Sequence, residues 1–167
     1  MTSSGIVKMG WTDEENLVCV HTEGSVYVYS LHGERVASFH LGAACTEDKV
    51  AECHIWETGL VVRTTRSDFF AIRSFDDPQP YKLADIYQAD DARRRPPSAM
   101  CVIAPRFNES DEPEVLVATA EGSIVVIDRK SAVDMRVEHP NNAPFVKMAV
   151  SPNAKKVACF DTAGIVL

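Results

Sequence analysis

Basic charge is what this sequence is short of. Its 17 Lys and Arg stand against 24 Asp and Glu, for a net charge of −7. Neutralising phosphates needs clustered cations, so a nucleic-acid binder is disfavoured, as is broad adhesion to anionic lipid. No apolar run approaches the roughly 20 residues of a membrane span. The N-terminus also lacks the basic start and apolar core of a secretion signal. The expected setting is therefore the cytosol, with peripheral membrane association at most. The five cysteines, Cys19, Cys45, Cys53, Cys101 and Cys159, are odd in number and contain no C-x-x-C pair. That pattern argues for buried, reduced thiols over a disulfide framework or a zinc site. Cys19, Cys101 and Cys159 fall within predicted strands, where a thiol behaves as a small hydrophobe.

Catalytic motifs are missing too. The chain has no G-x-S-x-G elbow, no G-x-x-x-x-G-K and no G-x-G-x-x-G, so neither a strained nucleophile nor a phosphate-cradling loop is expected. His21, His32, His40, His54 and His139 lack the helical i, i+4 spacing of a zinc enzyme. Cys53 and His54 are adjacent, and neighbours on a strand point to opposite faces. Asp76-Asp77 and Asp90-Asp91 lack the ligand number and turn glycine of a calcium loop and read as solvated loop carboxylates. The Asn108-Glu109-Ser110 sequon has no role in a cytosolic chain. No catalytic, cofactor-binding or metal-ligating residues are assigned, and no cofactor is expected.

What is present is a composition 46% hydrophobic and 25% charged, which is globular, arranged in short runs. Residues 5–33 set the pattern: an apolar run at 6–11, a polar turn at 12–16, a second run at 17–21, Thr22-Glu23-Gly24, and a third run at 25–31. Such β-branched and aromatic runs bounded by Gly, Asp and Asn predict an antiparallel meander. Copies follow with strands at 50–56, 60–65 and 69–75, at 99–104, 115–120 and 123–128, and at 146–151, 157–160 and 165–167. Fourth strands are predicted at 35–41, 81–87 and 134–138. The hairpin turns are 22–24, Arg66-Ser67-Asp68, with Asp68 in place of the expected Gly, Ala120-Glu121-Gly122 and Thr162-Ala163-Gly164. Because Glu121-Gly122-Ser123 repeats the turn Glu23-Gly24-Ser25, Ser123 is read as a turn residue and not a nucleophile. Trp11 and Trp56, 45 residues apart, read as packing residues at equivalent positions. Helix-friendly residues occur only at Glu14-Glu15 and 90–95, both too short for a stable helix.

The spacing sets the architecture. Gly122 and Gly164 are 42 residues apart, which fits a four-stranded propeller blade of about 40–45 residues. Gly24 to Gly122 is 98 residues, two such periods and a surplus that residues 88–97 and 106–113 absorb as polar, Pro-bearing loops. Apolar residues on both faces of the third strands (Val26 and Val28 against Tyr27 and Tyr29; Ile124 and Val126 against Val125 and Ile127) call for a sheet above and a sheet below. The rival, a β-sandwich, buries one face of each sheet. The fold class expected is all-β, a partial β-propeller of about three and a half four-stranded blades, with repeats at 5–42, 49–87, 98–138 and 145–167. A part-ring of this kind leaves unpaired sheet edges, so a longer parent protein or a covering partner is expected. Arg93-Arg94-Arg95 is the one concentrated basic run. A phosphoinositide, an acidic partner or RNA fits it as ligand; a solvated insertion partly neutralised by Asp90 and Asp91 is the preferred reading.

The segment GIVKMGWTDEENLVCVHTEGSVYVYSLHGE resembles the N-terminal propeller region of the vacuolar protein sorting 16 family. Met148 to Ser151 and Phe160 to Ile165 are similar to a second stretch of that family, while the part between Cys45 and Pro144 matches in strand pattern more than in identity. The resemblance implies a non-enzymatic core subunit of the HOPS and CORVET tethering complexes, peripheral on late endosome and vacuole or lysosome membranes. Its implied partners are the other core subunits and, indirectly, Rab GTPases and SNAREs. A Sec1/Munc18-type subunit would be reached only through a C-terminal helical solenoid absent from this chain. The residues leave open a WD-type propeller module of a coat, pore or ubiquitin-ligase assembly, although the matching positions read Tyr29-Ser30 and Ile127-Asp128 instead of Trp-Asp. They also leave open a propeller hydrolase using Asp and His from central loops.

Overall fold

Antiparallel meanders account for almost all the regular structure in the computed structural model, which describes residues 5–86, 97–108, 110–135, 137 and 143–167. The chain forms two units, Met1–Lys82 and Leu83–Leu167. In the first, β1 (Ile6–Trp11), β2 (Leu17–His21), β3 (Ser25–Tyr29) and β4 (Arg35–His40) make one sheet in chain order. The Thr12 side chain shapes the first turn: the Asn16 N–H donates to its hydroxyl at 3.1 Å while the Thr12 N–H donates to the Asn16 carbonyl at 3.0 Å. At the second turn the Gly24 N–H donates to the His21 carbonyl at 2.9 Å, with Gly24 at φ +87°, a conformation Gly adopts without a Cβ penalty.

A short helix, α1 (Ala43–Asp48), leads to β5 (Val50–Ile55), β6 (Leu60–Thr64), β7 (Phe69–Ile72) and β8 (Tyr81–Lys82), which form the second sheet, again in chain order. This helix lies outside the two helix-friendly stretches of the sequence. Six residues are too few to display a 3.6-residue period, and tertiary contacts hold the segment in place. Leu41 and Cys45 are buried in the core. The Gly42 N–H donates to His40 Nδ1 at 3.0 Å, and the Thr46 hydroxyl donates to the Glu23 carbonyl at 3.3 Å. Glu14 and Glu15 lie in the β1–β2 turn.

One face of each sheet supplies the core of this unit. The pairs Val18–Val28 and Val20–Val26 line one sheet, and Cys53–Val62 and Leu60–Ile72 line the other. Each fully buried aliphatic side chain contributes about 1.5–3 kcal/mol. Gly10 lets the sheets approach, since a Cβ there would stand 3.0 Å from the Ile55 side chain. The opposite face of the first sheet carries Ile6, Met9 and Trp11, all more than half exposed. An exposed apolar sheet face therefore stands at this end of the unit. Trp11, at 57% exposure, is not the packing residue the sequence suggests. Trp56 is half-buried and donates through Nε1 to the Thr58 hydroxyl at 3.2 Å.

In the second unit β9 (Ala99–Ile103), a 3₁₀ turn at Pro105–Phe107, β10 (Glu114–Ala118), β11 (Ile124–Ile127) and β12 (Ala132–Met135) give a third sheet of order β12-β11-β10-β9. β13 (Phe145–Val150) and β14 (Val157–Asp161) form a two-stranded sheet whose Phe145, Met148 and Cys159 pack with Cys101, Leu116 and Ile124. The predicted third strand at 165–167 pairs with β14 through the bridge Phe160 to Val166, where Cys159 and Leu167 exchange N–H···O bonds at 2.9 Å and the Asp161 N–H donates to the Ile165 carbonyl at 3.0 Å. The predicted strand at 81–87 stops at Lys82. Beyond it the Ala84 N–H donates to the Asp128 carbonyl at 2.9 Å, which takes the backbone out of the second sheet.

Burial on both faces is strongest on the second strand of each four-stranded sheet, not the third. Val18 to Val20 in β2, Leu60 to Val62 in β6 and Val115 to Ala118 in β10 are all buried, whereas Tyr27, Tyr29, Val125 and Val126 are half-buried. Each sheet is a meander of consecutive strands that never exchanges strands with another, which sets it apart from a Greek-key sandwich.

Candidate functional site

The recurring turn is the most regular feature of the chain. Its closing N–H belongs to Gly24, Ser67, Gly122 and Gly164, donating to the carbonyls of His21, Thr64, Thr119 and Asp161 at 2.9, 3.0, 3.2 and 3.3 Å. Ser67, at φ +69°, is the left-handed residue of the second turn, which corrects the assignment of that role to Asp68. Asp68 instead donates its N–H to the Thr64 hydroxyl at 3.2 Å and pairs its carboxylate with Lys82 Nζ at 2.8 Å. The Ser123 N–H likewise donates to the Thr119 hydroxyl at 3.3 Å, and the Ile165 N–H to Asp161 Oδ1 at 2.7 Å. Thr64, Thr119 and Asp161 are buried polar residues at one position of three successive repeats. Each is an acceptor satisfied by the turn that follows it. Ser123, whose hydroxyl meets Thr119 Oγ1 at 2.8 Å, belongs to this turn.

The other residues of chemical interest do not converge. All five cysteines are buried, and burial pushes the Cys45 thiol up to about 11 and the Cys53 thiol higher still, with the carboxylates of Asp48 and Asp68 adding to the effect at Cys45. Cys53 faces the core while His54, on the other face of β5, lies 3.5 Å from Glu52. Burial raises the affinity of Glu52 for a proton, but the hydrogen bond from His54 and the charge of Arg63, 3.3 Å away, hold its carboxyl below the usual range. His21 stacks edge-on against Tyr27, with ring centroids 5.1 Å apart, and His40 supports α1. Asp77 accepts from the Gln79 side chain at 3.1 Å. Among the described residues no group of three or more His, Cys, Asp or Glu is placed to hold a metal ion. Arg93, Arg94, Arg95, Asp90, Asp91, Glu109 and His139 lie outside the described residues.

A concave site forms among the described residues. In the first unit the β1–β2 turn, the β5–β6 turn and the segment after β7 enclose a cleft of about 410 Å³. The Asp13 N–H donates to the Glu57 carbonyl at 3.2 Å and the Phe75 N–H to the Thr58 carbonyl at 2.9 Å, so the walls are tied together by backbone. Val28, Val36 and Phe75 give the cleft an apolar floor, and Asp13, Glu14, Glu57 and Asp76 line it with carboxylates. Apart from the acidic turn at 12–16, nothing in the linear order of residues marks this site, because its other residues come from loops far apart in the chain.

Comparison with known proteins decides the family. The model of the family described as Vps16, N-terminal region, matches residues 1–167. The chain belongs to the Vps16 N-terminal family. A Dictyostelium discoideum protein, the vacuolar protein sorting-associated protein 16 homolog, is 32% identical over 99% of this chain and 20% of its own length. Arabidopsis thaliana protein VACUOLELESS1 is 28% identical over 93% of the chain and 20% of its own length. The chain thus spans about a fifth of these Vps16-family relatives. Among solved structures, the β-propeller domain of Myceliophthora thermophila Cps50 (Swd1) superposes with a TM-score of 0.62 at 13% identity, covering 95% of the chain and 49% of that domain. That likeness speaks to fold alone: this Vps16-family chain is an all-β, partial β-propeller built of antiparallel blades.

Proposed function

We propose that the chain is a non-enzymatic interaction domain of a HOPS/CORVET-type membrane-tethering assembly that serves vacuolar protein sorting. The observation that carries this reading is the family match across residues 1–167, with relatives named for vacuolar protein sorting. On this reading the chain is part of the N-terminal propeller of a longer parent. Its partners are the other core subunits, with Rab GTPases and SNAREs engaged through them, and it sits peripherally on late endosome and vacuole or lysosome membranes. Among the described residues no helix is long and apolar enough to cross a membrane. A scaffold role also suits the chemistry: the buried polar side chains close turns, and burial holds the Cys45 and Cys53 thiols protonated.

The test is affinity purification of the tagged chain from cells, with quantitative mass spectrometry against an unrelated propeller as control. The reading expects enrichment of the class C sorting subunits. Enrichment of coat, pore or ubiquitin-ligase subunits in their place would overturn it in favour of a WD-type module. Turnover of ester, glycoside or phosphate substrates by the purified chain would overturn it in favour of a propeller hydrolase.

A further inference from the structure

We infer that β12, the outer edge of the third sheet, takes up an extended basic and apolar segment of a partner polypeptide as a further antiparallel strand. An edge strand presents backbone donors and acceptors at the spacing a visiting chain needs, and proteins ordinarily guard such edges. The other edges here carry a guard. A register shift interrupts the pairing of β1, β4, β5 and β13. β8 is two residues long and follows Pro78 and Pro80, and Ala99, Met100 and Cys101 of β9 are buried. β12 has none of these devices. Its register against β11 runs unbroken from Ile127–Ala132 to Ile124–Met135, and all four of its residues are exposed.

The register also fixes which backbone groups face outward. The Asp128 N–H donates to the Ser131 carbonyl at 3.0 Å, and hydrogen-bonded pairs recur at every second residue of an antiparallel ladder. Val126–Val133 and Ile124–Met135 are therefore bonded within the sheet, while Ala132 and Asp134 turn their N–H and C=O groups outward. Among the described residues no backbone hydrogen bond from another element reaches these outward groups. Side chains add the selectivity. Val133 and Met135, 59% and 43% exposed, lie on the face where Ile124 and Val126 join the core, and Asp134 lies on the other face. A visitor in antiparallel register sets an apolar residue opposite Val133 and a Lys or Arg opposite Asp134, the cross-strand pairings that stabilise a ladder. A cationic segment is also drawn to a chain of net charge −7, whereas an acidic segment or a second copy of this chain meets like charge. The inference needs only the third sheet and stands apart from the assembly reading.

The test uses the isotope-labelled 167-residue chain and an acetylated, amidated Thr-Val-Lys-Val-Lys-Val-Thr peptide, followed by amide chemical shifts and nuclear Overhauser contacts. The expected result is shift changes confined to residues 124–128 and 131–135. An Hα–Hα contact should join Val133 to the Val between the two Lys residues, since a non-hydrogen-bonded pair brings opposite residues closest. Two methylated peptides separate strand pairing from plain charge attraction and leave the chain itself unaltered. N-methylation of both Lys residues, whose N–H groups face β12 in this register, should abolish binding. N-methylation of the central Val, whose N–H faces away, should preserve it. Asp134→Pro, which deletes one outward N–H and no ladder bond, should remove the response with the other amide signals in place. Asp134→Asn should weaken binding roughly 2- to 5-fold. Equal effects of the two methylations, shifts located elsewhere, full binding by Asp134→Pro, or no shifts at millimolar peptide would each overturn the inference. None of those results touches the co-purification outcome.

Discussion

Replacing Gly24 by Ala probes the joint between the first hairpin and α1 at a single added atom. Gly24 sits at φ +87°, and a Cβ built there stands 2.6 Å from the Cβ of Cys45. The left-handed conformation costs an L-residue about 1–2 kcal/mol, and forcing a methyl into packed atoms costs about 1–3 kcal/mol more. The Cys45 Cβ is anchored to the helix backbone and cannot swing away as a side-chain tip would. Gly33 is the internal control, with φ +80° and nothing within 4 Å of its would-be Cβ. Gly33→Ala therefore carries the conformational term alone. With a urea slope of about 1–3 kcal/mol/M, Gly24→Ala should lower the unfolding midpoint by about 1–2 M and Gly33→Ala by less than half as much. Adding Cys45→Ala, which keeps the Cβ, should not rescue the first variant. Equal midpoints for the two glycine variants, or full rescue by Cys45→Ala, would refute the packing argument.

Two further outcomes are expected. Because all five thiols are buried, and burial holds those of Cys45 and Cys53 protonated, a disulfide reagent at pH 8 should label the native chain slowly and reach five equivalents only in denaturant; rapid labelling of Cys45 or Cys53 in the native state would contradict their burial. Asp128 Oδ1 accepts N–H bonds from Lys130 at 2.6 Å and Ser131 at 2.8 Å, and the Lys130 bond, ahead of a smaller opposing burial effect, holds its carboxyl below the ordinary 3.8. A depressed carboxyl stabilises the fold above its unfolded-state value, and that contribution fades as pH falls through the depressed value. Asp128→Ala should therefore cost about 1 kcal/mol at pH 7 and progressively less below pH 4, as read by thermal melts across pH; a pH-independent loss would show that packing, not charge, is involved.

Much of the fold was legible because it is written in short-range chemistry. The boundaries of β1 and β2 follow directly from the apolar runs at 6–11 and 17–21, and the turn glycines mark three of the four equivalent hairpins. Where the signal failed, long-range contacts had taken over. α1 depends on Leu41 and Cys45 reaching the core and on Gly42 bonding to His40, none of which a six-residue window can reveal. Ser67, not Asp68, holds the left-handed position because the turn closes on the Thr64 carbonyl three residues earlier, and Asp68 follows it as Ser123 follows Gly122. The cleft was illegible for the same reason: Asp13, Glu57 and Asp76 belong to three loops that only the packing of two sheets brings together.

The brevity of β8 has a consequence for how this protein meets others. Only Tyr81 and Lys82 pair with β7, the preceding residues include Pro78 and Pro80, which have no N–H to offer, and Lys82 is anchored to Asp68. The two prolines leave the rim of the second sheet short of the backbone N–H donors an incoming extended chain would need. Strand addition is disfavoured along that border, which leaves side chains as the surface for a visitor to engage.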